Sequence, residues 1–322
     1  MDWKVSKKQW SWIKRLWIAG AVVIVVAGVL GGLRGCREKR LWDEMHEAGK
    51  ALYRSGQFAE AEERFEASLN MSEDFFEPQD SRVFNSLYNL GLAHEAQGEY
   101  SVAKGLYERA ITVGEQVFGA DNPAILHPLC SLATLHYDDG KYRIAQSLFE
   151  RSLAIQVEAA DVERRHVAMT LNCLGLCFDA QSMDGEAELS YKRAITIYEE
   201  IGASHDPELV ITLINLAGLY KEACLWSKAI PPYERAAAIQ EQTLGLGHAD
   251  LGTTLGNLAF LQHKLLEYHK AEDLYQRALQ VLETSLGIEH PRVRSLVRNY
   301  TVLLRTMGRN EEAESLEARV SR

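Results

Sequence analysis

Residues 254–278 read TLGNLAFLQHKLLEYHKAEDLYQRA, and this stretch contains two apolar patterns separated by a polar turn. Ala271, Tyr275 and Ala278 are spaced four and three residues apart, so they share one face of a helix. Ala259 lies twelve residues before Ala271, in a leucine-rich segment with a helical period of its own. The stretch therefore predicts two short helices that pack against each other, with small residues where their backbones approach.

The same pattern recurs every 42 residues through most of the chain. An alanine fills one slot in every copy: Ala61, Ala103, Ala145, Ala187, Ala229, Ala271 and Ala313. Four residues later an aromatic side chain follows in six copies, and Glu317 stands in the seventh: Phe65, Tyr107, Phe149, Tyr191, Tyr233 and Tyr275. A fixed period of this length is typical of repeat proteins, in which each unit buries its apolar face against its neighbours.

We therefore expect an all-α fold, an α-solenoid of about seven helix–turn–helix repeats that occupies residues 41–322. Glycine stands between the two predicted helices in four copies: Gly56, Gly98, Gly140 and Gly308. Pro231 and Pro232 fall inside one predicted second helix. Because proline lacks a backbone N–H, we expect this pair to bend or delay that helix.

The alternation of small and aromatic slots resembles the tetratricopeptide repeat. The 42-residue period resembles the repeats of kinesin light chains, as do connections such as LGIEHP at 286–291 and first helices such as TLGNLA at 254–259. The resemblance implies paired helices stacked into a right-handed superhelix with a concave peptide-binding face. It does not imply attachment to a motor, because light chains carry a heptad coiled coil where this chain carries an apolar segment.

Residues 1–40 differ from the rest of the chain in composition. They hold nine Lys/Arg and two acidic residues, a net charge of +7, and four of the six tryptophans. Within them WIAGAVVIVVAGVLGGL, residues 17–33, has no charged residue. As a helix it spans about 26 Å, close to the hydrocarbon thickness of about 30 Å. The pattern predicts a single transmembrane helix at 17–33 that anchors the repeats.

Three further expectations concern this segment. Five Lys/Arg precede the span and four follow it closely, which favours a cytoplasmic N-terminus and a repeat domain on the outer, periplasmic side. Gly28 and Gly32 permit close helix–helix approach and a homodimer. Alternatively, Cys36 is the lipidated residue of a lipoprotein, although Arg34 departs from the small neutral residue that such a processing box requires.

The charge balance and the missing motifs exclude several function classes. The chain carries −10, so residues 41–322 carry −17, and a surface of that sign repels nucleic acid. The sequence has no HExxH, P-loop, CxxC or G-x-S-x-G motif, and its ten histidines are scattered. We therefore expect no nucleic-acid partner, no enzymatic activity, no cofactor and no metal site.

A candidate binding face lies on the first helices, opposite their packing stripe. Asparagine recurs there in four copies, and apolar residues and one lysine share the face: Asn89, Asn215, Asn257, Asn299, Leu92, Leu176, Phe260 and Lys264. An asparagine amide donates and accepts at once, so it can hold a peptide backbone. We expect these residues to line a peptide-binding groove.

Alternatives remain open at this stage. The asparagines can instead bond only the adjacent helix and stiffen the stack. A partner can instead use the second helices, which carry an arginine column: Arg109, Arg151, Arg193, Arg235 and Arg277.

For function, we favour a membrane-anchored protein–protein interaction scaffold that binds a partner protein or peptide. The alternative is a structural subunit of a membrane complex that assembles with itself and has no peptide ligand.

Overall fold

The computed structural model describes residues 37–159 and 162–320, and the regular elements in those ranges are all helical. Helix α1 covers residues 37–54. The others are α2 (Phe58–Phe75), α3 (Ser81–Ala96), α4 (Tyr100–Phe118), α5 (Leu126–Asp138), α6 (Tyr142–Glu158), α7 (Arg164–Asp179), α8 (Asp184–Glu200), α9 (Pro207–Glu222), α10 (Trp226–Thr243), α11 (Ala249–Lys264), α12 (Tyr268–Leu286), α13 (Pro291–Thr306) and α14 (Asn310–Val320). A short 3-10 turn, Pro123–Ile125, precedes α5.

The helices form two compact units, one that ends at Leu135 and one that begins at His136. In the first unit α3 packs between α2 and α4. In the second unit α7 and α8, α9 and α10, α11 and α12, and α13 and α14 form helical hairpins, and each hairpin packs on the next. This alternation confirms the predicted helix–turn–helix repeats.

The core of each hairpin is built from the slots that the 42-residue period defines. All seven alanines of the first slot are completely buried, and the six aromatic side chains are between 0% and 3% exposed. Small residues on the first helices make room for these rings. A Cβ atom added at Gly91 on α3 would lie 2.5 Å from Cε1 of Tyr107 on α4. The aromatic ring therefore packs directly on the partner helix's backbone.

The turns between first and second helices share one backbone conformation. The four predicted turn glycines have φ between +74° and +81°, which glycine adopts without steric cost. The same slot in the other three described turns holds Ser182, Cys224 and Leu266, with φ of +58°, +58° and +65°. In those three repeats a residue with a side chain is therefore held in the left-handed region.

Capping side chains set the starts of several first helices. Asn122 and Asp206 accept hydrogen bonds from the backbone N–H of Ala124 and Glu208 at 2.9 Å. In two later repeats histidine takes this position, and its Nδ1 accepts the capping bond: His248 before α11 and His290 before α13.

Helix α10 runs through its two prolines. It begins at Trp226, three residues before the buried Ala229, and α4, α8 and α12 begin at the same distance from their alanines. The expectation that Pro231 and Pro232 delay this helix was therefore wrong. Neighbouring packing holds the segment helical, although both positions lack the N–H that would bond the carbonyl four residues earlier.

The predicted membrane span at 17–33, with Gly28, Gly32 and Cys36, lies outside the described residues. Within 37–159 and 162–320, none of the helices is long and apolar enough to cross a membrane. The same ranges hold no group of histidine, cysteine and acidic side chains arranged to bind a metal ion. Cys177 is fully buried, and burial raises the pKa of its thiol to about 12.

Candidate binding surface

A cavity of about 740 Å³ opens between the first helices of two successive repeats, α9 and α11. The end of α10 closes one side, and the start of α13 contributes Arg292. The lining residues are Pro207, Val210, Ile211, Ile214, Gln240, Thr243, Leu244, His248, Asp250, Thr253, Thr254, Asn257 and Arg292. Ile211 and Leu244 are 44% and 47% exposed, so apolar surface reaches the mouth of the cavity.

The cavity exists because two slots that hold leucine in the following repeat hold polar residues here. Gln240 and Thr254 line the cavity, and 42 residues later the same slots are Leu282 and Leu296, both buried. Leu282 packs closely on α11, since a Cβ atom at Gly252 would lie 2.8 Å from its Cγ. Leucine side chains therefore occupy the space between α11 and α13 that stays open between α9 and α11.

The charged groups of the cavity wall neutralise each other. Nη1 of Arg292 lies 3.0 Å from Oδ1 of Asp250, and both side chains are about half exposed. The hydroxyl of Thr254 donates to the backbone carbonyl of Asp250 at 3.1 Å. The cavity is therefore largely apolar, and the charges of this ion pair in its wall cancel.

Two amides supply further polar atoms of this wall. Gln240 is 3% exposed, and its Oε1 accepts no hydrogen bond from the part of the chain that the structure describes. Oδ1 of Asn257 accepts a hydrogen bond from Nζ of Lys221 at 3.4 Å, which leaves the Asn257 NH₂ for a ligand. The site can thus offer hydrogen bonds without offering net charge.

The asparagine column takes different roles in different repeats. Nδ2 of Asn89 donates to the carbonyl of Asn85 at 2.7 Å and lies 3.3 Å from Nε2 of His46 on α1. Nδ2 of Asn215 donates to Oδ1 of the buried Asn172 on α7 at 3.0 Å. Asn257 lines the cavity, and Asn299 is exposed. Three of the four amides thus bond the preceding first helix, since Lys221, the donor to Asn257, lies on α9. This is the alternative that the sequence left open.

The apolar members of the predicted groove lie apart from the cavity lining. Leu92 and Leu176 are half-buried, and Leu176 packs against the core of its unit. Phe260 packs edge-on against Trp226, with ring centroids 5.9 Å apart, and Nζ of Lys264 lies 5.2 Å above the Phe260 ring. Of the eight predicted residues, only Asn257 lines the cavity. Their role in binding stays a prediction.

None of the residues that form the cavity, apart from Asn257, was among the predicted binding residues. Val210, Ile211 and Ile214 lie on α9, and Gln240 and Leu244 lie on α10. A signal was available, because the slot of Ile211 holds Thr253 and Ser295 in the next two repeats. An exposed isoleucine at a slot that is polar in most of the other repeats indicates a surface that contacts another molecule.

The arginine column of the second helices pairs with a glutamate column 36 residues earlier. Arg109 bonds Glu73 at 2.6 Å, Arg235 bonds Glu199 at 2.5 Å and Arg277 bonds Glu241 at 2.7 Å, and Arg319 bonds Glu283 in the same way. We call this series the Arg–Glu ladder. In the glutamate slot opposite Arg193 stands Val157, which is 66% exposed. Most of the column that was an alternative partner surface is therefore engaged between successive repeats.

The comparisons with known families and structures agree with this architecture. The family model described as tetratricopeptide repeat matches residues 44–116, 83–158, 124–200, 166–242, 208–284 and 250–322, six overlapping matches that cover most of the chain. None of the curated protein sequences matches this chain.

Several solved structures share the fold at low sequence identity. BtubC (BKLC) from P. vanneervenii is 20% identical, with a TM-score of 0.61 over 70% of this chain and 89% of that one. A protein from Podosopora anserina described as a kinesin light chain with nearly identical TPR-like repeats is 22% identical, with a TM-score of 0.56 over 64% and 97%. The apo form of the quorum sensor NprR from B. thuringiensis is 14% identical, with a TM-score of 0.60 over 99% and 88%.

Proposed function

This chain belongs to the tetratricopeptide-repeat family, and we propose that it is a membrane-anchored scaffold that binds a segment of another protein on its first helices. The fold alone does not name a function, so the proposal rests on the site. The observation that carries it is the open cavity between α9 and α11.

The cavity has the size and chemistry of a ligand site. Its volume of about 740 Å³ falls within the usual range of ligand sites, about 300–1,000 Å³, with mostly apolar walls and a few polar groups. A charged side chain would lose its hydration there without gaining a free counter-ion, because Asp250 and Arg292 already pair with each other. An uncharged, largely apolar side chain therefore fits best. The Asn257 amide can bond the backbone that carries it.

The proposed location follows from the sequence. Residues 17–33 anchor the chain in a membrane, and the basic residues on either side favour a repeat domain on the outer, periplasmic side. Lipidation at Cys36 is the alternative anchor. Extraction of membranes with carbonate tests the first reading, because a spanning helix resists it whereas a peripheral protein is released. A chain of unaltered mass in the pellet also separates the span from the lipoprotein.

The binding proposal is tested by filling the cavity. Peptides selected for binding to the purified full chain from a random displayed library should lose at least about tenfold in affinity for the variant Gln240→Leu/Thr254→Leu. Both substitutions place leucine where the following repeat already has it, at Leu282 and Leu296. The variant should therefore keep the fold and lose only the open volume.

Gln156→Leu is the matched control. Gln156 occupies the Gln240 slot two repeats earlier, is also buried, and likewise has an Oε1 without a partner among the described residues. The selected peptides should bind this variant normally. Equal affinity for all three proteins would place the site elsewhere. A failure to select any peptide, together with crosslinks only between copies of the chain, would favour the self-assembling subunit.

A further inference from the structure

The turns of two adjacent hairpins expose apolar side chains at their tips. Residues 221–228 contain the end of α9, the turn and the start of α10, and residues 264–270 contain the same parts of α11 and α12. In these turns Leu225 is 43% exposed and Leu266 is 69% exposed. The corresponding turns at Gly56 and Gly98 present polar neighbours instead. We call residues 221–228 and 264–270 the basic turn edge.

The backbone of this edge is strained at two of its exposed residues, Cys224 and Leu266. Cys224 and Leu266 hold φ of +58° and +65° at a slot that is glycine in four other repeats. A leucine there is unfavourable twice, because its Cβ crowds the left-handed backbone and its side chain faces water. Glycine would relieve both costs, so folding does not explain the leucine. Such a residue points to a surface that is covered in use.

The charge of the edge is opposite to that of the chain. Four lysines and two glutamates lie in it, a net of +2, whereas the whole chain carries −10. The ammonium of Lys228 lies 5.6 Å above the ring of Tyr220, and that of Lys264 lies 5.2 Å above Phe260. Aromatic rings thus hold two of the cations beside the leucine tips, and both cations remain exposed.

We propose that the basic turn edge rests on an anionic lipid surface. Leu225 and Leu266 enter the boundary between headgroups and acyl chains, and Lys221, Lys228, Lys264 and Lys270 lie among the lipid phosphates. Projecting aliphatic tips with lysines in the same turns suit a bilayer, because lipids deform around a tip whereas a protein partner must offer a pocket of matching shape. The opposite charges attract the edge to the surface over about one Debye length, about 8–10 Å.

Two leucines and four lysines bind a bilayer weakly on their own. The tether at residues 17–33 raises the population of this contact, so the proposal rests on the proposed membrane anchor. A tethered domain meets the surface at a high effective concentration, so a weak contact is populated without any free ligand.

Hydrogen exchange of the full chain in lipid nanodiscs tests the contact. One set of discs contains phosphatidylcholine only, and the other also contains about 30% phosphatidylglycerol, an anionic lipid. Amides of residues 221–228 and 264–270 should exchange at least about threefold more slowly in the anionic discs. The turns at Gly56 and Gly98 are internal controls and should exchange equally in both. The variant Leu225→Ser/Leu266→Gly should lose the difference, and Lys228→Gln/Lys264→Gln should reduce it.

The outcomes separate the edge from the anchor. Equal amide exchange rates of the wild-type edge in both kinds of disc would overturn the lipid contact. A protein partner would then be the better explanation of the exposed edge. An undiminished difference in the leucine variant would overturn the lipid contact too. If the chain fails to incorporate into discs, the anchor proposal fails instead. Flotation with vesicles of the same two compositions then decides the lipid contact directly.

Discussion

Nη1 of Arg235 on α10 lies 2.5 Å from Oε1 of Glu199 on α8, so this pair links the second helices of two successive repeats. The Arg–Glu ladder repeats the arrangement along the second helices, with one sequence break where Val157 faces the slot of Arg193. Val157→Glu should complete the ladder and raise the unfolding free energy by about 0.2–1 kcal/mol, the usual worth of an exposed ion pair.

Urea unfolding at two salt concentrations checks this. The gain should be present near about 0.05 M salt and largely disappear near about 1 M, because salt screens exposed charges. Adding Arg193→Gln to the variant should also remove the gain. A stabilisation that survives both changes would come from helix propensity and not from the ion pair.

The left-handed turn residues predict stabilisation by glycine. Leu266→Gly should raise the unfolding free energy by about 1 kcal/mol. An L-residue in this conformation costs about 1–2 kcal/mol, and the larger backbone entropy that glycine loses on folding offsets part of the gain. Gly308→Ala is the reverse control and should lower it by a similar amount. Thermal unfolding of both variants measures the effect, and a lower midpoint for Leu266→Gly would contradict the assigned strain.

The close approach of Gly91 to Tyr107 predicts opposite effects for two glycine-to-alanine changes. Gly91→Ala should destabilise by about 1–3 kcal/mol, since its Cβ overlaps the ring. Gly105→Ala on α4 meets nothing within 4 Å and should stabilise by up to about 1 kcal/mol through helix propensity. Urea midpoints of the two variants should therefore move in opposite directions. Similar midpoints would mean that α3 and α4 adjust freely.

Burial of His46 predicts a pH-dependent stability. The buried site, and secondarily the Lys50 ammonium, lower the pKa of His46 from 6.5 to about 4. Between these values the unfolded chain binds a proton that the folded chain does not. His46 therefore contributes no penalty above pH 6.5, and stability falls as the pH drops from 6.5 to about 4. His46→Tyr, which copies Tyr88 of the next repeat, should flatten this part of the profile in urea titrations.

Asn215 and Asn257 should respond differently to alanine. Asn257 lines the cavity, so Asn257→Ala should weaken binding of a selected peptide by about 0.5–1.5 kcal/mol, with little change in the thermal midpoint. Asn215 bonds the buried Asn172, so Asn215→Ala should lower the midpoint and leave affinity unchanged. Parallel calorimetry and thermal unfolding measure both. Equal loss of affinity in the two variants would restore the asparagine column as one binding surface.

The sequence predicted the architecture well because the fold repeats. Alanine at the position of Ala187 recurs in all seven repeats. The recurring small, aromatic and glycine positions identify the packed helix faces and the turns directly. The cavity was not predictable in this way. The cavity depends on the space that Gln240 and Thr254 leave unfilled. That space is apparent only in the structure, where α9 and α11 pack side by side. Asn215 illustrates a second limit, because helical phase gives a side chain's direction but not whether a neighbour such as Asn172 meets it.

The two prolines of α10 have a consequence for local unfolding. Because Pro231 and Pro232 carry no N–H, the carbonyls of Ser227 and Lys228 lack the partners that a regular helix would give them. Fraying of residues 226–229 therefore breaks two hydrogen bonds fewer than the same event in α8 or α12. The first turn of α10 therefore opens at a lower cost in hydrogen bonds than its counterparts, and the packing of the buried Ala229 is what keeps it closed.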